Sequence, residues 1–243
     1  MSMACGQCDW PIVWVDRHLL DAVARTEPPA DMRLDAISWP FPGMAFALPT
    51  GTLRHSVDGE CSWMAIARLS GDLRCPISGT VVQVRTPSVA CYTASLTKPN
   101  PTTLQLALPE TASLADAAGL TLDRYESSYM PEHLPDPHPD DTTLAGAAFS
   151  LGMRLLLALT VRPEYLEGSF DVGTHASAAR SGWTPVRWAG RGHRHNVTGE
   201  GDATGAGVRL HWRRGHFRSQ PHGEGRTLRK LIWLEPVLVG DAP

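Results

Sequence analysis

Short apolar segments, separated by prolines and polar turns, fill the first half of the chain. Strands are predicted at Met44–Leu48 and Cys61–Leu69, joined across a polar hairpin. Further strands are predicted at Val81–Arg85, Val89–Thr93 and Thr103–Leu108. Because these segments are short and follow one another closely, they indicate an antiparallel sheet.

Helical periodicity appears near the start of the chain. Ile12, Val15, Leu19 and Val23 recur at the spacing of one helix face, which predicts an amphipathic helix over residues 12–25. The prolines at positions 28 and 29 would end it. Further on, Ser113 is the predicted N-cap of a short helix that Gly119 closes.

The clearest predicted helix is Leu144–Val161. Asp141, Thr142 or Thr143 caps it, and Pro163 ends it. Its leucines fall on one face and predict a core position; they are Leu151, Leu155, Leu156 and Leu159.

A hairpin is predicted at the C-terminus, where Val208–Arg218 and Thr227–Val239 flank the glycine-containing stretch Ser219–Arg226. With a period of two, one face of the first strand carries His211, Arg213, Gly215 and Phe217, and the other carries Trp212, Arg214, His216 and Arg218. Neither face is purely apolar. The basic side chains of such a strand cannot be buried in a core unless they contact an anion, a carboxylate or a partner.

These elements predict an α+β protein, with an antiparallel sheet, a few packed helices and a C-terminal basic β-hairpin. Asp123–Asp141 contains four prolines and several carboxylates, which is typical of a solvated connection. The predicted division is therefore an N-terminal part over residues 1–122, a linker over 123–143 and a C-terminal part over 144–243.

Composition narrows the class of protein. With 42% hydrophobic and 19% charged residues among 243, the chain fits a globular protein. No apolar run reaches 18 residues, and no secretion signal is visible, so we expect no membrane partner. An odd number of cysteines, five, favours a reducing compartment, and hence the cytoplasm.

Charge is distributed unevenly along the chain. Residues 183–243 carry 10 basic and 5 acidic residues, a net charge of +5. The preceding 182 residues carry 12 basic and 20 acidic residues, a net charge of −8. This pattern is compatible with phosphate binding by the C-terminal segment, or with docking of the two ends on each other.

Motifs of common enzymes are absent. The sequence has no phosphate-binding loop, no serine-hydrolase elbow and no complete zinc pattern. Cys5 and Cys8 have the spacing of half a zinc site or of a redox pair, but no second pair completes a zinc site, and a loosely ordered N-terminus is the favoured interpretation. His193 and His195 suit a zinc site, an acid/base pair or a loop. We expect no metal and no cofactor.

Arginines are interleaved with Trp183 and Trp188. This pattern is used by surfaces that bind single-stranded nucleic acid, and it also occurs where arginine stems cover aromatic rings at the edge of a core. The structural interpretation is favoured.

The C-terminal stretch also carries a resemblance. Its H-x-R-R-G-H-F core at positions 211–217, followed by Gly223, Gly225 and Pro236, resembles the signature of the second family of type V-A anti-CRISPR proteins. That resemblance implies a cytoplasmic protein of phage or mobile-element origin. It would lower production of a CRISPR effector nuclease by acting on its messenger RNA during translation. The implied partner is RNA or a translation-associated protein, such as a nascent chain.

Three interpretations of the hairpin residues remain open. The first is a surface that binds nucleic acid or a partner, formed by Arg213, Arg214, Arg218, Arg226, Trp212, Phe217, Gly223 and Gly225. The second is a metal-independent ribonuclease that uses His211, His216 and His222 as acid and base. His211 and His216 would then need a bulge at Gly215 to meet. The third is purely architectural, with Arg213 paired to Glu235 across the hairpin.

Overall fold

The computed structural model describes residues 11–29, 31–41, 43–55, 59–61, 63–74, 81–94, 104–109, 111–118, 125–127, 139–167, 186–198 and 211–240. Cys5, Cys8, Cys75, Gly119 and Trp183 lie outside these residues. Within them the fold combines three α-helices with mixed β-sheets, so the predicted α+β class is confirmed.

The largest sheet has eight strands, which are β1 (Ile12–Val15), β3 (Gly43–Ala47), β6 (Trp63–Arg74), β7 (Val81–Ala94), β8 (Leu104–Pro109), β9 (Tyr125–Ser127), β10 (Leu166–Glu167) and β11 (Val186–Ala189). Their order across the sheet is β10-β11-β1-β3-β6-β7-β8-β9. β1 runs parallel to both β3 and β11, whereas the other pairs in this sheet are antiparallel. The strands predicted for the antiparallel sheet do pair antiparallel, and the sheet as a whole is mixed because β1 runs parallel to its two neighbours.

The predicted helix over residues 12–25 divides into a strand and a helix. Ile12–Val15 forms β1, and α1 runs from Arg17 to Ala24. Asp16 separates them, because its carboxylate accepts a hydrogen bond from the backbone N–H of His18 and caps the helix. Four consecutive apolar residues are typical of a strand within a parallel sheet, and that pattern overrides the helical period.

The predicted strands of the first half are confirmed, with changed boundaries. Met44 lies opposite Ile66 in the antiparallel pair of β3 and β6. The polar stretch between them forms a small hairpin of β4 (Leu53–His55) and β5 (Gly59–Cys61). The two segments predicted at 81–85 and 89–93 are one strand, β7, which continues through Pro87.

The long helix α3 extends from Pro139 to Val161 and confirms the predicted core helix, five residues longer at its start. The four predicted core leucines are all buried. At Gly152, an added Cβ would lie 2.5 Å from the Met64 side chain, so the helix lies directly against β6. Pro163 begins a short 3₁₀ turn after the helix.

The short helix α2 (Leu114–Ala118) confirms the predicted cap. Ser113 Oγ accepts a hydrogen bond from the backbone N–H of Asp116 at 3.2 Å, and the Asp116 carboxylate accepts one from the N–H of Ser113 at 2.7 Å. This reciprocal pair is a capping box.

Part of the predicted linker is structured. Tyr125–Ser127 forms β9, which pairs with β8, and α3 begins at Pro139. The eight-stranded sheet takes strands from both sides of the linker. The division into two parts stays a prediction.

The C-terminal segment forms two ladders. β14 (Gly215–His222) pairs antiparallel with β15 (Leu228–Leu234), and β13 (His211–Arg213) pairs with β16 (Val237–Val239). β2 (Thr26–Glu27) joins β14, and β12 (Asn196–Thr198) joins β16. Across the described residues, no helix is both long and apolar enough to cross a membrane.

Candidate functional site

The hairpin of β14 and β15 extends beyond the core as a two-stranded arm, residues 219–230. All side chains of the arm are exposed except that of His222, which is half-buried. The pairing continues to His222 opposite Leu228, so the arm is a regular ladder and not a loose loop. The predicted hairpin is confirmed, and its turn is shorter than predicted.

Positive charge dominates the arm. Arg226, Arg229 and Lys230 lie on it with one acidic residue, Glu224, and Arg218 immediately precedes it. Within the described ranges, none of these four cations has an ion-pair partner. Arg213, in β13, is exposed and likewise outside those ion pairs. Unpaired, exposed cations are available to an anionic partner.

The tip of the arm has left-handed backbone at three positions. Gly223 has φ 77° and Gly225 has φ 63°, which glycine adopts at little cost. Arg226 has φ 55°, which is uncommon for a residue with a Cβ. The two glycines therefore have a conformational role, because they form the turn that presents Arg226, and their predicted contact role stays a prediction.

The root of the hairpin, residues 215–217 and 233–236, is packed into the protein. Phe217 stacks on Trp233 with ring centroids 5.5 Å apart, and each side chain is 4% exposed. Trp233 Nε1 donates to Thr26 Oγ1 at 3.0 Å, and that hydroxyl donates to the carbonyl of Ala22. Phe217 is therefore a packing residue in this structure, and its predicted binding role stays a prediction.

Gly215 is required by close packing. A Cβ at this position would lie 2.6 Å from Thr26 Oγ1 and 2.8 Å from the backbone oxygen of Leu234. The Gly215 N–H donates to the carbonyl of Arg25 at 3.1 Å, which starts the parallel pairing with β2. The glycine of the sequence motif thus permits a junction of three strands.

The three predicted catalytic histidines do not converge. His216 and His222 are six residues apart on one strand, which corresponds to about 20 Å along it. The ladder of β13 and β16 keeps the same register as that of β14 and β15, because Arg213 faces Val237 and His216 faces Leu234. No bulge at Gly215 therefore folds His211 back onto His216. Their catalytic role stays a prediction.

The predicted ion pair between Arg213 and Glu235 is not formed. Glu235 instead accepts a hydrogen bond from the Tyr165 hydroxyl at 2.7 Å, and its carboxylate lies 3.9 Å from Arg162. Arg214 pairs with Glu27 at 2.6 Å, and both of these side chains are mostly exposed.

A histidine and tyrosine cluster lies behind the hairpin, at the carboxyl ends of the parallel strands β1 and β11. His193 is 6% exposed, and its Nδ1 lies 3.3 Å from the Tyr165 hydroxyl. Since that hydroxyl donates to Glu235, its oxygen is free to accept from His193 Nδ1–H. In the neutral form of His193 that donates from Nδ1, the lone pair is on Nε2, which is buried and has no hydrogen-bond partner among the described residues.

His195 and His18 extend this cluster. Their ring centroids are 5.2 Å apart, and those of His193 and His195 are 5.9 Å apart. Burial lowers the pKa of His193 and of His195, with the neighbouring histidines adding to the effect. Burial, and then the hydrogen bond to Glu235, raises the pKa of Tyr165.

His193 and His195 occupy an irregular segment before β12, as the loop interpretation predicted. In the described part of the chain, no group of three or more His, Cys, Asp or Glu side chains is placed to hold a metal ion. The zinc interpretation of these two histidines is therefore not supported there.

A second surface feature, the guanidinium cleft, lies between α1, α3 and the start of the hairpin. Its volume is about 490 Å³, and it is lined by Ala24, Arg25, Thr26, Glu27, Arg154, Trp212 and Arg214. The Arg25 guanidinium lies 4.8 Å from the centroid of the Trp212 ring. The edge of the cleft therefore includes two residues of the sequence motif.

Trp188 packs against other side chains of the protein. It stacks on Trp14 with centroids 6.0 Å apart, and the Arg191 guanidinium lies 5.6 Å from its ring centroid. This agrees with the favoured structural interpretation of that residue.

Sequence reasoning did not find His18, Tyr165 or Arg154 as site residues. The sequence could have indicated Arg154, because it is the single cation in the apolar part of α3. No sequence pattern indicates His18 or Tyr165, since their proximity depends on the parallel pairing of β1 with β11.

Comparison with known protein families identifies the class. The model of the AcrVA2-like family, the anti-CRISPR type V subtype A2 family, matches residues 13–241. That range includes almost the whole chain, so the protein belongs to this family and the predicted resemblance is confirmed. No curated protein matches the sequence.

Proposed function

We propose that this anti-CRISPR family member lowers production of a CRISPR effector in the cytoplasm by contacting RNA through its arm. One observation carries the proposal. The arm is a regular ladder exposed on both sides, and Arg218, Arg226, Arg229 and Lys230 on or beside it have no ion-pair partner in the described residues.

The arm contributes little to the stability of the fold, because an exposed ladder buries little apolar area. Guanidinium and ammonium groups held apart from carboxylates attract phosphates, and their contacts position a nucleic acid independently of its sequence. Arg213 extends the same charge toward the body of the protein.

A translation-associated protein is the other predicted partner. An acidic nascent chain would meet the same cations, but it lacks the regular phosphate spacing that gives nucleic acids their steep salt dependence. The salt dependence of binding therefore distinguishes the two partners.

The direct test is the affinity of the purified protein for labelled single-stranded RNA over a salt series. Arg229→Gln/Lys230→Gln should weaken binding. It should also reduce the slope of log K against log salt concentration by up to about 1.4, because each phosphate contact on a single strand contributes about 0.7. The matched control is Arg33→Gln/Arg54→Gln, which removes two exposed arginines far from the arm in sequence and should leave the slope unchanged.

The same samples, resolved on a denaturing gel, test the ribonuclease alternative. RNA products that disappear in His216→Ala without loss of affinity would establish catalysis and replace the binding proposal. Absence of binding by the native protein at low salt would reject RNA contact and leave a protein partner. In cells that express a type V-A effector, the arm variant should restore the effector messenger RNA.

A further inference from the structure

Three arginines from separate parts of the fold line the guanidinium cleft. Arg25 follows the end of α1, Arg154 comes from α3, and Arg214 lies between β13 and β14. Glu27 is the one carboxylate among the residues that line it, which gives the lining a net charge of +2. Because like charges repel, an anion bound among these arginines would lower their electrostatic energy.

Arg154 is the least satisfied of the three. Its Nη1 donates to the carbonyl of Ala24 at 3.1 Å, but its Nε is buried and has no hydrogen-bond partner among the residues that the structure describes. Its helix neighbours Met153 and Leu155 are fully buried, and burial lowers the pKa of its guanidinium. A half-buried cation without a contacting carboxylate costs free energy, and a bound anion would offset that cost.

The other two arginines are available at little cost. Arg214 pairs with Glu27, but their side chains are 79% and 63% exposed, and such pairs contribute little to stability. Arg25 lies over the Trp212 ring, and in the described residues its guanidinium has no carboxylate partner. A ligand can therefore recruit both groups without breaking the core.

We propose that the guanidinium cleft binds the terminal phosphate of a nucleotide, either free or at the end of an RNA strand. A terminal phosphate carries a charge of about −1.5 to −2 at neutral pH, which balances the lining. Its oxygens match the fork of arginine donors. The volume of about 490 Å³ exceeds the need of inorganic phosphate and accommodates an attached nucleoside beside Trp212. This inference does not rest on RNA binding by the arm.

The test is calorimetric titration of the full chain at low salt with AMP, adenosine and inorganic phosphate. AMP binds, phosphate binds more weakly, and adenosine does not bind. Arg154→Gln and Arg214→Gln each weaken AMP binding at least about tenfold, since each removes charge-assisted hydrogen bonds. Arg54→Gln, at an exposed arginine of β4, is the matched control and leaves AMP affinity unchanged.

Folding of the variants is checked by thermal unfolding. Arg154→Gln should not lower Tm, because it removes a poorly solvated charge. Arg214→Gln alters an exposed side chain, so it tests the cleft even where Arg154→Gln perturbs the fold. The arm variant Arg229→Gln/Lys230→Gln should retain AMP binding, which separates failure of the cleft from failure of the arm.

The source of the phosphate follows from competition. Displacement of AMP by a 5′-phosphorylated oligoribonucleotide, but not by its 5′-hydroxyl form, assigns the cleft to RNA ends; AMP binding without displacement by either assigns it to free nucleotides. The proposal is overturned if AMP does not bind, if adenosine binds equally well, or if both arginine variants retain AMP affinity. Displacement of AMP by an oligoglutamate at equal concentration also overturns it, in favour of an acidic protein partner.

Discussion

The root and the arm are consecutive parts of one antiparallel ladder, but they have opposite environments. In the root, Phe217 and Trp233 are each 4% exposed. In the arm, Leu228 is 57% exposed. The difference arises because β2, Tyr165 and the histidine cluster cover the root, whereas the arm extends past them. Residues of one motif therefore have different roles: the root stabilises the fold, and the arm is available for contact.

The largest expected effect is on the root. Trp233→Ala should lower the free energy of unfolding by about 3–5 kcal/mol, because it empties a packed site and leaves Thr26 Oγ1 without its donor. Leu228→Ala in the arm should change it by less than about 0.5 kcal/mol. Urea unfolding measures both. Equal losses would show that the arm is packed as tightly as the root.

Glycine substitutions sharpen the comparison. Gly215→Ala should cost about 2 kcal/mol, since its Cβ would overlap Thr26 and the Leu234 backbone oxygen. The Cβ of Gly225→Ala would contact only the Thr227 methyl group, at 3.8 Å. This substitution should lower the free energy of unfolding by about 1 kcal/mol, because the backbone at this position is left-handed. Thermal unfolding of the two variants should rank them in this order. The reverse order would contradict the packed junction.

Stability should depend on pH through the cluster behind the root. Burial is the chief cause that holds the pKa of His193 below its value in the unfolded chain. Its contribution to stability is therefore present above about pH 6.5 and is lost as the pH falls through its folded pKa. The charges of Glu235 and Asp16 raise the pKa of His193, whereas those of His195 and His18 lower it further.

Urea unfolding between about pH 7.5 and pH 5 measures this dependence, with a slope of at most about 1.4 kcal/mol per pH unit for one proton. His193→Gln should flatten the profile, while His216→Gln, at an exposed position of β14, should not. An unchanged profile in His193→Gln would show that another group carries the proton.

The smallest expected effect on stability is that of the arm charges. Arg229→Gln/Lys230→Gln should change the free energy of unfolding by no more than about 0.5 kcal/mol, because both side chains are exposed and neither has an ion-pair partner in the described ranges. Its effect should be confined to partner binding. A loss of several kcal/mol would mean that these cations stabilise the fold.

Much of the fold follows from local patterns. The periodicity of α3, the cap at Ser113, the strands of the first half and the glycine-rich hairpin are all short-range properties of the sequence. The helix predicted over residues 12–25 is present from Arg17 to Ala24 but was wrong over Ile12–Val15, because a run of four apolar residues fits a buried strand and a helix equally well. Only pairing with β3 and β11 decides between them.

The sequence by itself determined the α+β class, the basic C-terminal hairpin and the family. Tertiary structure alone decided that Phe217 is buried and that Glu235 binds Tyr165 instead of Arg213. It also brought Arg154 to Arg25 and Arg214. The physical reason is the sequence separation over which each interaction acts. Capping, turns and periodicity act between neighbours in the chain. Burial and charge convergence depend on segments that are distant in sequence and meet only when the parallel strands and α3 pack together.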